Sequence, residues 1–165
     1  MEIRALGPED ANLYRSIRLE ALQHHPEAFG SSYEEEKEFS VEKFAGRLQE
    51  EHSFTFGAFE NGRLFGVVTL VLEQKNKRKH RANIFAMYVS PEKRNLGIAK
   101  TLMIEAIRKA KNTTDVEQLH LSVVTDNQPA KKLYRSLGFE TYGIEKRALK
   151  IDQNYFDEEL MVLYV

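Results

Sequence analysis

Between Ala82 and Ala110 the apolar residues change period, and that change places a strand, a turn and a helix in the middle of the chain. The run A-N-I-F-A-M-Y-V (82–89) reads as a strand. After Gly97, the residues Leu102, Met103, Ala106, Ile107 and Ala110 recur at the spacing of one buried helical face. Between them lies S-P-E-K-R-N-L-G, which sets a lone glycine at the mouth of the helix. Such a mouth presents backbone N–H groups and the positive end of the helix dipole, so an anionic guest is expected. Glycine lets the backbone close on a pyrophosphate without a Cβ in the way. Ala99 keeps the next turn open, and Arg94 adds positive charge at the rim. Neither G-x-x-x-x-G-K-[ST] nor G-x-G-x-x-G is present, which sets aside the two commoner phosphate loops.

The rest of the chain reads in the same alternating way. Residues 2–6 form a short strand, and Gly7-Pro8 opens a helix on which Leu13, Ile17 and Ala21, with Tyr14 and Leu22, make a buried stripe. The stretch 27–39 reads as turn residues followed by a charge run. Ser40 caps a second helix reaching about Glu50. S-F-T-F-G-A-F-E and R-L-F-G-V-V-T-L-V-L-E flank Asn61-Gly62, the strongest short-range hairpin signal. A strand at 118–125 leads through Asp126 or Asn127 into a helix whose inner stripe is Ala130, Leu133, Tyr134 and Leu137, ended by Gly138. Two strands, near 139–149 and 157–164, close the chain around D-Q-N-Y. The predicted order is β-α-α-β-β-β-α-β-α-β-β, one α/β domain over 1–165 with a central mixed sheet.

Composition limits what such a domain does. The 24 basic and 25 acidic residues leave a net charge of −1, which counts against a dedicated nucleic-acid binder. There is no cysteine for a disulfide or thiolate metal site, and His24-His25 lacks further ligands, so no metal is expected. No run is long and apolar enough to cross a membrane, and a cytoplasmic location is the expectation.

The unit M-Y-V, S-P-E-K, R-N-L-G-I-A-K and helix resembles the acetyl-CoA motif of the GNAT superfamily of N-acetyltransferases, Q/R-x-x-G-x-G/A, at Arg94, Gly97 and Ala99. Some thirty residues on, D-N-Q-P-A-K-K-L-Y-R-S-L-G-F is similar to the family's second signature at Asn127, Ala130, Leu133, Tyr134, Gly138 and Phe139. The resemblance covers nearly the whole chain. It implies a GNAT fold in which the strands at 82–89 and 118–125 are parallel neighbours that splay apart. It also implies acetyl-CoA as cosubstrate, with pantetheine against the backbone of Met87, Tyr88 and Val89. The pyrophosphate would lie on the N–H groups of Arg94, Asn95, Leu96, Gly97, Ile98, Ala99 and Lys100, and Asn127 would reach the cofactor from the other side. The implied activity is acetyl transfer to a primary amine of a small molecule or protein, and family analogy allows a homodimer.

Acetyl transfer needs a neutral amine, a polarised thioester carbonyl and a proton for the departing thiolate. Tyr134 occupies the family's tyrosine position, and a phenol of pKa about 10 can protonate a thiolate of about 8.5. The other reading of Tyr134 is a core tyrosine with a satisfied hydroxyl. For the base, some family members carry a glutamate five residues before the asparagine, but that place is Ser122 here. His120, His80, Glu34, Glu35, Glu36 and a water relay remain. Two rival functions are a catalytically silent CoA-binding module and a nucleic-acid binder built on the basic loop 75–81.

Overall fold

The computed structural model describes all 165 residues. Strand β1 (Glu2–Ala5) is followed by a single 3-10 turn at Pro8–Asp10 and then by helix α1 (Ala11–His24). Asp10 holds that turn together by accepting from the Gly7 N–H and from the Arg4 guanidinium. Ala11, Tyr14, Ile17, Ala21 and Leu22 are buried along α1, whereas Leu13, expected in that stripe, is 40% exposed. Tyr14, Ile17, Ala21 and Leu22 are buried as predicted, and Ala11 rather than Leu13 completes the stripe.

The stretch after α1 holds more order than its charge run suggests. A 3-10 elbow at Pro26–Ala28 leads into a one-turn helix, α2 (Tyr33–Glu36). Ser32 and Glu35 cap it reciprocally, the S-x-x-E pattern legible in the sequence. Ser40 then caps α3 (Val41–Arg47), as predicted, by accepting from the Lys43 N–H.

Strands β2 (Ser53–Glu60) and β3 (Arg63–Leu72) form the hairpin, with Asn61 and Gly62 both at positive φ, 51° and 76°. Strand β4 (Arg81–Val89), helix α4 (Ile98–Lys111), strand β5 (Gln118–Val124) and helix α5 (Gln128–Ser136) follow. The closing hairpin is β6 (Glu140–Ile151) and β7 (Asn154–Tyr164). The seven strands form one mixed sheet in the order β1-β2-β3-β4-β5-β7-β6. One apolar layer packs α4 and α5 on one face, through residues such as Leu102, Met103, Leu119 and Met161. A second packs α1 and α3 on the other, around Leu22, Phe44 and Val67. No helix is long and apolar enough to cross a membrane.

The feature that positions the site is where the sheet fails to close. β4 and β5 are parallel and pair only through Arg81–Gln118, Ala82–Leu119 and Asn83–His120. Beyond these rungs the strands separate. On the β3 side, β4 carries a bulge between the pairs Val67–Tyr88 and Thr69–Phe85, with Ala86 at φ 54°. The bulge bends β4 away from β5 and leaves its edge from Ile84 onward without a strand partner.

Candidate active site

At the open end of the wedge, β4 runs through a 3-10 turn (Pro91–Lys93) into the glycine loop. Gly97, the N-cap of α4, has φ 79°, a conformation suited to glycine. A Cβ built there would meet nothing within 4 Å, so the space in front of the helix is open. Asn95 also takes positive φ, 62°, and the two left-handed residues turn successive N–H groups outward. Asn95, Leu96, Gly97, Ile98, Ala99 and Lys100 donate their backbone N–H groups to nothing in the protein. A row of unpaired donors at a helix N-terminus fits a pyrophosphate. Arg94 stands apart from that row, because its own N–H already donates to the Pro91 carbonyl at 3.3 Å.

The Arg94 side chain is exposed, yet it is tied down rather than standing free at the rim. Its Nε donates to the Val89 carbonyl at 3.0 Å, its Nη2 lies 2.9 Å from His25 Nε2, and the guanidinium covers the Tyr88 ring. Tyr88 donates its hydroxyl to Glu20 at 2.9 Å, as does Ser90. Burial and the Glu20 carboxylate both raise the Tyr88 pKa, so the phenol stays protonated. The side chain of Tyr88 is thus committed to α1, and only its backbone and those of Met87 and Val89 border the wedge.

Across the opening, Asn127 caps α5 by accepting the Ala130 N–H at 3.2 Å, which leaves its side-chain NH2 group unused. Two turns along, the Tyr134 ring is buried edge-on against Phe139. Its hydroxyl makes no hydrogen bond within the protein, yet it is absent from the fully enclosed unpaired atoms, so it keeps contact with solvent. Burial of the ring pushes the Tyr134 pKa up to about 12. An open, unpartnered hydroxyl differs from the satisfied core tyrosine that was the other reading of this residue. Lys131, a turn before it, is unexpectedly buried, paired with Glu159 at 2.7 Å and donating to the Thr125 carbonyl.

The base candidates separate by position. Glu36 is fully buried between Arg18 and Arg47, both at 2.8 Å, which removes it from the candidate bases. It is an internal counter-ion and no base. Glu35 is tied to the Ser32 cap, and Glu34 is exposed on α2. His80 precedes β4 at the closed end of the wedge, where its carbonyl accepts from Glu117 and Gln118. His120 sits at the last rung, 2.9 Å from Gln118 Oε1 and edge-on to Tyr142. Burial, followed by the positive charges of Arg81 and Arg78, lowers its pKa. Nowhere do three histidine, aspartate or glutamate side chains converge to hold a metal ion.

Comparison with known proteins places this geometry. A family profile described as "Acetyltransferase (GNAT) family" matches residues 18–139. The L-amino acid N-acetyltransferase AaaT of Escherichia coli (strain K12) is 34% identical over 101 residues, 61% of this chain and 62% of that protein. The match thus spans about three fifths of that relative's length. An acetyltransferase of the GNAT family from Streptococcus pneumoniae superposes with a TM-score of 0.88 at 24% identity, covering 99% of each chain. The protein yncA of Salmonella typhimurium, solved with its cofactor acetyl-CoA, superposes with a TM-score of 0.86 at 17% identity, over 99% of this chain and 93% of that one.

Proposed function

Because the chain belongs to the GNAT acetyltransferase family, we propose that it transfers the acetyl group of acetyl-CoA to a primary amine. One observation carries the reading: of the two strands that separate, β4 leads into six unpaired N–H groups, Asn95 to Lys100, and β5 leads into the helix bearing the unpartnered hydroxyl of Tyr134. The first fits a pyrophosphate and the second can serve a thiolate.

Acetyl-CoA supplies the activated acyl group. The protein supplies the rest. The N–H groups from Asn95 to Lys100 hold the diphosphate, and the bare edge of β4 at Met87, Tyr88 and Val89 takes the amide arm as an added strand would. The Asn127 side-chain NH2 group closes the site from α5. The backbone at Val89 polarises the thioester carbonyl, and Tyr134 gives its proton to the departing sulfur. Every residue in this assignment comes from one chain, so the chemistry needs no second copy. The Escherichia coli relative is named for L-amino acids, which makes α-amino groups the first acceptors to try.

The test is release of CoA thiol from acetyl-CoA across amino acids, polyamines and peptides with free amino termini. Amine-dependent release with matching product mass is the expected result. Tight CoA binding with no release on any amine would favour a silent binding module instead.

A further inference from the structure

Beside β5, on the far side from the wedge, β7 carries a carboxylate with no role in the assignment so far. Strand β7 pairs with β5 without a register break, Ser122 opposite Leu160, Val123 opposite Glu159 and Val124 opposite Glu158. Glu159 turns toward α5, where Lys131 and Arg135 pair with it and Thr141 donates to it. Successive side chains alternate between faces, so Glu158 points to the opposite face, the one shared by Ser122 and His120. The 3-10 elbow at Pro26–Ala28 lies over that face, touching β5 and β6.

Its height along the wedge matters more. The last β4–β5 rung is Asn83–His120. Four residues further along the regular strand β5, roughly 13 Å, stands Val124, whose cross-strand partner is Glu158; four residues along β4, through its bulge, stands Met87. Glu158 therefore lies toward the same open end of the wedge as the backbone proposed to hold the acyl arm, on the face opposite α4 and α5. It is half-buried, and no cation pairs with it: Lys146 goes to Asp157, and Lys131 and Arg135 go to Glu159.

We propose that Glu158 is the general base that removes the proton of the acceptor ammonium, directly or through one water. The proposal rests on the acetyltransferase reading. The Glu158 carboxylate takes one proton from the ammonium, freeing the nitrogen lone pair. That pair forms the C–N bond to the acetyl carbon as the C–S bond breaks, and the sulfur's electron pair takes the Tyr134 proton. The second nitrogen proton returns through water to Tyr134, and Glu158 releases its own to solvent. The balance is one ammonium and one thioester in, one amide, one thiol and one proton out.

The local charges suit this role. Burial and the Glu145 carboxylate across the β6–β7 pair raise the Glu158 pKa, while the Ser122 hydroxyl pulls it down. The other titratable groups on the packed elements are His120 on β5, His25 and Glu27 at the elbow, and Glu140, Tyr142, Lys146, Arg147 and Lys150 on β6, of which Tyr142 lies against His120, Lys146 is turned to Asp157 and Arg147 to the Tyr155 ring. The family's glutamate position on β5 is Ser122 here, and Glu158 returns a carboxylate to the same face from the neighbouring strand.

Glu158→Gln keeps the shape and removes the base. With a strongly basic amine that the wild type accepts, kcat is expected to fall about 10²–10³-fold, and the acidic limb of the kcat/KM profile to flatten. With a weakly basic amine such as aminoacetonitrile, largely neutral already, the loss is expected to stay under about tenfold. CoA affinity and melting temperature should match wild type. An active wild type with an equally active Glu158→Gln at every pH overturns Glu158 alone. Equal losses on both amines also overturn it. A wild type inert on every amine overturns the acetyltransferase reading, and this assignment with it.

Discussion

The Arg94 guanidinium stands 2.9 Å from Nε2 of His25, joining the loop of unpaired N–H groups to the C-terminal end of α1. The same side chain grips the Val89 carbonyl, so one arginine fixes the glycine loop, the end of β4 and the elbow after α1 together. Arg94→Ala is expected to weaken CoA binding about three- to tenfold, near 1 kcal/mol, through loss of loop order. It should also raise the acceptor KM, because the elbow loses its anchor. Calorimetric titration with CoA and acceptor kinetics check both; an unchanged acceptor KM would separate the elbow from the loop.

Gly97 is the position where backbone conformation and ligand approach coincide. Gly97→Val places a branched side chain in the open space before α4 and forces a φ of 79° on a residue that resists it. Binding of CoA should weaken at least about tenfold, roughly 1.4 kcal/mol. Gly97→Ala carries most of the conformational cost with less obstruction, so its titration should lie between the two. Equal CoA dissociation constants for all three proteins would discard the pyrophosphate assignment.

Tyr134→Phe removes a hydroxyl that bonds to nothing in the protein while keeping a ring packed on Phe139. Melting temperature and CoA affinity should therefore hold, and kcat should drop about 10²–10⁴-fold. Steady-state kinetics under chemistry-limited conditions decide the point. Wild-type turnover would take Tyr134 out of the reaction, whereas a large fall in melting temperature would return it to the core.

Glu36 predicts an acid dependence of stability. Burial pushes its pKa up, but Arg18, helped by Ser31 and Arg47, overrides this and holds the carboxyl at about 2. The unfolded chain restores about 4.3. Folded below unfolded means that the ion pairs contribute fully above about pH 4.5 and fade as pH falls toward 2. Glu36→Gln should destabilise the protein by about 3 kcal/mol at pH 7, since two cations lose their partner. The gap from wild type should narrow between pH 5 and pH 2. Urea midpoints at pH 7, 4 and 3 measure it, and a gap independent of pH would assign the effect to packing.

Local chemistry was the legible part of this chain. The Asn61-Gly62 turn, the Ser40 cap, the Asn127 cap and the glycine at the mouth of α4 each depend on a few adjacent residues, and each is where the sequence places it. What escaped was non-local. Glu36 looks like surface until Arg18 and Arg47, 18 and 11 residues away, close around it. Lys131 looks solvated until β7 brings Glu159 beneath it. The face on which Glu158 sits was implicit in the alternation of D-E-E-L-M-V-L, but its height in the wedge depends on register with β5, which no local pattern encodes. The α2 helix is the exception, a local capping box hidden by the charges around it.

The wedge has a mechanical consequence. Three rungs are all the strand pairing between the half-sheet of β1, β2, β3 and β4 and that of β5, β7 and β6, so the sheet is two leaves sharing a short spine. Each leaf has its own antiparallel ladder, and the spine is buttressed by fully enclosed Ala82 and Leu119. No ladder hydrogen bond ties the leaves at the open end, so backbone amides along the bare edge of β4 and from Asn95 to Lys100 are expected to exchange quickly with deuterium. Those flanking Ala82 and Leu119 should be the last to exchange. A molecule lying between the leaves then acts as a clasp, slowing exchange on both sides at once, and mass-resolved exchange with and without CoA reads whether the leaves close as one.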